Sequence, residues 1–325
     1  MNVGIIGYGY TGQQHARAIA AIQGVTLKAI AEPDDRKRSL ADVHSFVDYR
    51  SLLADTGIEA VTICLPHHLH EEVASAALLA GKHVLVEKPL AMNVSAGRRL
   101  CDTAKAPKQV LMVEMTHRFL PPIQEARSLV AAGEIGEIMA IGEVLIEDVG
   151  VFGSLPGWML TRDTAGGGVG LTSGIHLLDH ISWISEQRLV LKSASFSKTQ
   201  KLGNVEDTAA FALETETGAP VQILLCWRTQ GTHLDGQLTV VGSKGSLKVQ
   251  PWEGIRFESE AKTVARTFFQ DGSTIAERAL VGIQGAIQEF VDSIRQGRLP
   301  EPLPEESLTS QSIIEEAYRT QYLAG

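Results

Sequence analysis

The residues of this chain most able to do chemistry fall in four places. Gly7, Gly9 and Gly12 stand in the spacing G-x-G-x-x-G, and Glu32 lies 20 residues beyond the last of them. Lys88 sits between Glu87 and Pro89, directly after an apolar run. His176 stands in TSGIHLLDHISWI, with Asp179 three residues on. Pro66, His67, His68 and His70 make a dense imidazole stretch.

The glycine spacing is the most specific of these signals. A residue without a side chain at Gly7 permits a tight turn, and at Gly9 it lets a pyrophosphate approach the backbone. At Gly12 it lets a helix pack closely on a strand. Free N–H groups at the start of that helix, around Tyr10 and Thr11, then bind phosphate. Glu32 is placed to accept hydrogen bonds from the adenosine ribose and to repel a 2′-phosphate, which favours NAD over NADP. Arg36-Lys37-Arg38 is the counter-signal: three charges that clamp a phosphate unless they are simply solvated. A merely structural turn is the alternative to a bound dinucleotide. The strand before it, the helix after it and the spacing to the acid count against that alternative.

Each of the other three places has a chemical and a plain reading. A lysine at the carboxyl end of a parallel strand lies where such sheets bind ligands, and there it stabilises developing alkoxide charge; the plain reading is a surface lysine at a strand end. A histidine near neutrality suits removal of a hydroxyl proton as hydride leaves the same carbon. The plain reading of His176 is a core histidine, because Ile175, Leu178, Ile181 and Trp183 give its segment an apolar helical face. The histidine stretch by itself suggests metal, but no second cluster supplies carboxylates and no metal is expected. Cys64, Cys101 and Cys226 show no C-x-x-C spacing, so neither a disulfide framework nor a zinc site is expected, and a reducing compartment fits.

Elements that position these residues are legible in the pattern. Strands at Val3–Ile6, around Val25–Glu32, at Ala60–Pro66, in HVLVEKP and in QVLMVEM alternate with helices such as Gly12–Ala21. Short apolar strands separated by helices imply an N-terminal Rossmann domain with a doubly wound parallel sheet over residues 1–119. After Pro121-Pro122 the texture changes. A helix at Pro121–Ala132 leads into strands that alternate with period two, among them EIMAIGEVLIE, DTAAFALETE and PVQILLCW. Residues 120–325 therefore read as an α+β domain with a largely antiparallel sheet, closed by helices from about Val281 and Glu305.

Composition sets the outer limits. The chain has 325 residues, 44% hydrophobic and 21% charged, enough for two domains. Its formal net charge is -9 and its longest basic run is three residues, so nucleic acid is not an expected partner. No apolar run approaches the roughly 18 residues of a membrane span. The first strand begins at Asn2 or Val3, which leaves no room for a signal peptide, and a cytoplasmic location is the expectation.

With GIIGYGYTGQQHARAI, CLPHHLH, AGKHVLVEKPLA and GGGVGLTSGIHLLD in view, the chain resembles the Gfo/Idh/MocA oxidoreductases, relatives of glucose–fructose oxidoreductase and inositol dehydrogenase. The resemblance spans almost the whole chain. It implies a Rossmann domain followed by a largely antiparallel α+β domain, and hydride exchange between NAD(P) and a hydroxyl of a sugar or cyclitol. By the same resemblance Lys88 touches the nicotinamide ribose and the substrate, Glu87 lies on the cofactor side, a cis bond precedes Pro89, and His176 is the general acid/base. Pro66 and His70, in a P-x-x-L-H match, lie next to the nicotinamide. His15 is structural or near the pyrophosphate.

The substrate side carries over less completely. Arg118, beside His117, contacts a substrate oxygen or else pins a domain interface. Trp158 stacks on a sugar or fills the core. Thr172 stands where many relatives have aspartate, and Asp179 is retained, to bind a substrate hydroxyl, orient His176 or hold the helix. Gly166–Gly168 reads as a flexible turn. Two rivals share the scaffold: an NAD-dependent glycosidase that oxidises its substrate transiently, and a non-enzymatic NAD-sensing regulator. The partners implied are a small sugar or polyol and further copies of the chain, as a dimer or tetramer.

Overall fold

A computed structural model describes the chain apart from residues 106–107, 152–154, 201, 230, 232–233 and 323–325. Its contacts divide the chain into two compact units: residues 1–115 with 283–309, and residues 116–282 with 310–325. The division expected at 119/120 from the sequence places the whole C-terminal segment in the second domain. In the structure 283–309 packs with the first unit.

In the first unit the strands are β1 (Asn2–Ile6), β2 (Thr26–Ala31), β3 (His44–Phe46), β4 (Ala60–Ile63), β5 (His83–Val86) and β6 (Leu111–Val113). The helices are α1 (Tyr10–Ala20), α2 (Asp35–Arg38), α3 (Tyr49–Ala54), α4 (His70–Leu79) and α5 (Val94–Lys105). The sheet order is β3-β2-β1-β4-β5-β6, and every pair is parallel. The strands are almost wholly apolar because helices cover both faces, and Ile5, Ile30, Ile63 and Leu85 are fully buried. The order reverses between β1 and β4, which is where such sheets bind ligands at the carboxyl ends of their strands. The turns after β1, β4, β5 and β6 therefore emerge side by side at one end of the sheet. The three-residue β3 was not anticipated.

In the second unit α6 (Pro121–Ala131) precedes β7 (Ile138–Asp148). Three helices follow: α7 (Arg162–Ala165), α8 (Val169–Thr172) and α9 (Gly174–Ser185). The remaining strands are β8 (Leu189–Ser197), β9 (Thr208–Thr215), β10 (Pro220–Arg228), β11 (Leu234–Gly242), β12 (Gly245–Gln250), β13 (Gly254–Ser259) and β14 (Thr263–Thr267). They form one sheet in the order β14-β13-β12-β11-β7-β10-β9-β8. All its pairs are antiparallel except β7 with β10, so the sheet is largely antiparallel as expected. Along β7 the inward register holds Ile141, Glu143 and Leu145, all buried, while Val144 faces outward and is exposed. The long helices α10 (Ile275–Gln296) and α11 (Pro304–Tyr322) each begin in one unit and end in the other.

Candidate active site

The glycine turn in the first unit has two tight positions and one open one. Gly7 lies at φ +90°, a backbone that side chains rarely adopt, and a Cβ there would stand 2.3 Å from the Cys64 carbonyl oxygen. A Cβ at Gly12 would stand 2.1 Å from the Gly7 carbonyl oxygen, so α1 packs onto the turn only because that position is bare. Gly9, the residue that precedes α1, would meet nothing within 4 Å. The space over Gly9 and the N-terminus of an 11-residue helix are what a diphosphate needs. Tyr10 is the first residue of that helix, partly exposed, with Thr11 beside it.

Glu32 is already fastened in place. It is buried, and its two carboxylate oxygens accept from the Tyr8 N–H at 2.8 Å and the Asp34 N–H at 3.0 Å. An ionised carboxylate has further lone pairs, so ribose hydroxyls remain within its capacity. Arg38 donates to the carbonyls of Glu32 and Pro33 and pairs with Asp35. That local engagement draws Arg38 back onto its own turn.

Glu87 and Lys88 follow β5, and the Lys88–Pro89 bond is cis, as the resemblance implied. Lys88 is partly buried, and its backbone N–H donates to Glu87 at 3.2 Å. His70 ties this turn to the next one. It is fully buried, with Nδ1 2.7 Å from the Pro89 carbonyl and Nε2 2.9 Å from the Leu65 carbonyl. Burial pushes its pKa down, and its contribution to the site is to fix the turns that carry Pro66 and Lys88. Pro66 opens the short 3-10 turn His67–Leu69 at the same end of the sheet.

Beneath the glycine turn lies a cluster that the sequence did not reveal. His15, on α1, is fully buried, with Nε2 2.8 Å from Glu114 and 3.7 Å from Glu87. Glu114 follows β6 and is itself fully buried. Burial opposes a charge on His15, yet its neighbours Cys64 and Glu114 hold its pKa well above 6.5. Burial also pushes the Cys64 thiol up. Glu87 is raised by burial, but His15 and Lys88 outweigh that and hold it below its ordinary value. Glu114 is pushed up, by burial first. Among the described residues these three side chains are a group with ligand atoms close enough for a cation, all within 4.8 Å of one another. A shared charge between an imidazolium and two carboxylates accounts for the distances. The histidine stretch at 67–70 takes no part in it.

In the second unit α8 ends at Thr172 and α9 carries His176, both nearly buried. Arg118 and Asp179 are buried and hold each other in a two-pronged pair, Nε and Nη2 each donating at 2.7 Å. Each therefore orients the other first, and Arg118 also lies over the Trp183 ring. Trp158 lies in the short turn Gly157–Leu160, where its carbonyl accepts from Thr164 at 2.6 Å. The His117 ring stacks on His176, with centroids 4.2 Å apart and planes 12° from parallel.

Gly166–Gly168 is a tightly packed turn and not the flexible one expected. A Cβ at Gly167 would stand 2.1 Å from the Tyr318 hydroxyl, and one at Gly168 would stand 1.9 Å from the Glu206 carbonyl oxygen. The Glu206 carboxylate accepts from the N–H groups of Gly168 and Gly170 and from Tyr318. The glycines are bare to admit these neighbours, and through them Glu206 fixes the start of α8. The acids missed by sequence reading, Glu114, Glu143 and Glu206, share one signal: a carboxylate within or beside an apolar strand. Only Glu143 carried a period-two register that could have marked it as inward.

A parallel sheet with a glycine turn at its switch point, an acid after β2 and a lysine after β5 defines a dinucleotide-binding oxidoreductase unit. Residues 1–115 match the model of the GFO_IDH_MocA oxidoreductase family with its NAD-binding Rossmann fold, and residues 123–248 match the GFO/IDH/MocA C-terminal domain. The chain belongs to this family. It is 30% identical over 288 residues to inositol 2-dehydrogenase 2 of Saccharopolyspora erythraea, covering 83% of this chain and 81% of that protein. It is 30% identical over 219 residues to the D-glucoside 3-dehydrogenase of Escherichia coli, covering 65% and 61% of the two chains. The crystal structure of an oxidoreductase domain protein from Kribbella flavida superposes with a TM-score of 0.88 at 25% identity, over 99% of this chain and 97% of that one.

Proposed function

We propose that the chain transfers hydride between NAD and a secondary hydroxyl or ketone of a sugar, cyclitol or related polyol. The observation that carries this reading is the end of the parallel sheet, where the open Gly9 position, the preset Glu32 carboxylate and Lys88 emerge from neighbouring strands. The names of the relatives, a cyclitol and a glucoside dehydrogenase, support the substrate class. NAD, when bound, supplies the ring carbon that takes or gives the hydride.

The chain's own residues divide the remaining work. Gly7 and Gly12 shape the turn, the N–H groups from Gly9 to Gly12, including Tyr10 and Thr11, hold the phosphates, and Glu32 accepts from the ribose. Pro66, His70 and Glu87 shape and fix the turns beside it. Lys88 stabilises negative charge on the substrate oxygen, and His176 accepts the hydroxyl proton. Arg118, Asp179, Thr172 and Trp158 shape the substrate side. NADP is the less favoured cofactor, because Glu32 would face its extra phosphate.

Replacement of Lys88 by Met tests the reading on a panel of cyclitols, glucosides and their keto forms. Loss of NADH formation with NAD binding retained is the expected result, and undiminished turnover would end it. A glycosidase would release a leaving group with no net NADH signal, and a regulator would bind NAD tightly without turnover.

The exposed apolar face of the larger sheet, with Val144, Val190, Leu224 and Val241, supports a homodimer or tetramer in the same reading. A light-scattering mass near 35.0 kDa would count against it. No helix among the described residues is long and apolar enough to cross a membrane. The free cysteines Cys64, Cys101 and Cys226 support a cytoplasmic location.

A further inference from the structure

Two more histidines and a carboxylate stand behind His176, and none of them belongs to the roles assigned above. Glu143 points inward from β7 and is buried; His180 on α9 is fully buried. His180 Nε2 lies 2.9 and 2.8 Å from the two Glu143 oxygens. His180 Nδ1 lies 3.3 Å from Nδ1 of His117, and the His117 ring stacks on His176 at 4.2 Å. The Trp252 ring lies 5.4 Å from His117 and nearly perpendicular to it.

We propose that Glu143, His180 and His117 form a buried row that fixes the His117 tautomer and places one carboxylate charge behind His176, favouring its protonated form. The inference deepens the proposed function, because it concerns the residue read there as the proton acceptor.

With His180 neutral, the hydrogen bonds set the tautomers along the row. A carboxylate only accepts, so His180 carries its proton on Nε2. In neutral His180 the Nδ1 is then the acceptor, and His117 donates from its own Nδ1. Neutral His117 is thereby left with its proton on Nδ1 and none on Nε2. Two stacked imidazoles do not both carry charge at low cost, whereas a neutral ring tolerates an imidazolium on its face. The row keeps His117 neutral, and its one net charge is negative. Low dielectric inside the unit lets that charge act across two rings. A more basic His176 removes a hydroxyl proton more readily.

Among the described residues, other charged groups around α9 have partners of their own. Arg118 and Asp179 neutralise each other, Arg127 from α6 meets Glu186, and Glu147 accepts from Ser173 and Trp227. The Glu143 carboxylate is the charge in this surrounding that reaches His176 through imidazoles alone.

The test is a titration by NMR of the full chain with NAD bound and its histidines labelled with nitrogen-15, which needs no substrate. In the wild type the His117 side chain should report the Nδ1-protonated tautomer. Glu143→Gln keeps the shape and removes the charge. It should lower the His176 midpoint by about 0.5 pH unit or more and release the His117 tautomer. In a His117→Gln background the same Glu143→Gln change should move His176 by less than half as much. Should Glu143→Gln not fold, the single His117→Gln variant decides: its His176 midpoint must fall. A His176 midpoint unmoved by either change, or moved equally with and without His117, overturns the row. Turnover separates the two readings, since a His176→Asn enzyme with full NAD-dependent activity would sink the catalytic role of His176 and leave the titration result standing.

Discussion

Each unit buries a histidine against a carboxylate, and the two arrangements are built for different ends. Under the glycine turn, His15 meets Glu114 at 2.8 Å and Glu87 at 3.7 Å, so one imidazole serves two acids from the ends of adjacent strands. In the second unit Glu143 serves His180 alone, and His180 leads through His117 to His176. The first is a closed knot. Its charge is held by more than one partner and cannot leave without exposing a buried acid. The second is a line with one charged end and one nearly buried ring at the other. A knot fixes backbone, here the turns that carry Glu87 and the start of α1; a line passes an electrostatic bias along itself. Burial alone therefore does not say what a histidine does; the groups it is joined to do.

The largest effect is expected at the knot. His15→Ala leaves half-buried Glu87 and buried Glu114 beside each other with Lys88 as the cation that remains near them. Breaking such a pair costs about 3–5 kcal/mol, which urea unfolding should register as a large drop in midpoint, accompanied by weaker NAD binding. A loss under about 1 kcal/mol would mean that the knot is no knot. The pH dependence has a definite sign. Because folding raises the His15 pKa above 6.5, its stabilisation is complete below pH 6.5 and is lost as the pH climbs through the raised value. Wild-type stability should therefore fall above pH 6.5, by at most about 1.4 kcal/mol per pH unit, and His15→Gln should remove that fall. His70 works the other way, since folding depresses its pKa: its share is present above pH 6.5 and is lost as the pH drops through the depressed value.

The line has a fixed neighbour, and a milder change sharpens the contrast. Arg118→Lys keeps the charge beside Asp179 but gives up the two-pronged geometry of the guanidinium. The expected loss is about 1–2 kcal/mol, smaller than for His15→Ala because the cation paired with Asp179 is kept. Binding of NAD, followed by the quenching of protein fluorescence, should stay unchanged. Equal losses for the two variants would show that the second unit relies on its ion pair as heavily as the first relies on its knot.

How much of this was readable beforehand follows from the range of each interaction. The parallel sheet and the glycine turn rest on local rules: apolar runs of strand length, a tight turn, a bare helix start. Those rules placed β1, α1, β4, β5 and the acid after β2 correctly, and the change at Pro121 marked a second texture. The short β3, with two of its three residues exposed, gave no apolar run to notice. Residues 283–309 read as the end of the second domain, because an amphipathic helix shows which face is buried but not against what. The same limit hid the knot. Glu114 ends a strand-like run and looks like any polar strand end, and only the register of β6 beside β5 brings it under α1. Gly166–Gly168 read as slack for a related reason: three bare residues look alike whether they allow motion or admit Tyr318 and Glu206.

The smallest expected effect on stability is at Gly9, where the difference between a closed interior and an open surface is sharpest. The knot lies directly under a turn whose upper side is empty: a Cβ at Gly7 or Gly12 collides with backbone, while one at Gly9 meets nothing within 4 Å. Gly9→Ala should therefore change the unfolding free energy by less than about 0.5 kcal/mol. Its φ of -71° is one that alanine adopts without strain. Yet in the proposed reading the added methyl meets the diphosphate, and NAD affinity measured by titration calorimetry should fall at least about tenfold. A variant that binds NAD as the wild type does would place the phosphates elsewhere. A variant that unfolds easily would show that the open side is supported from above by protein.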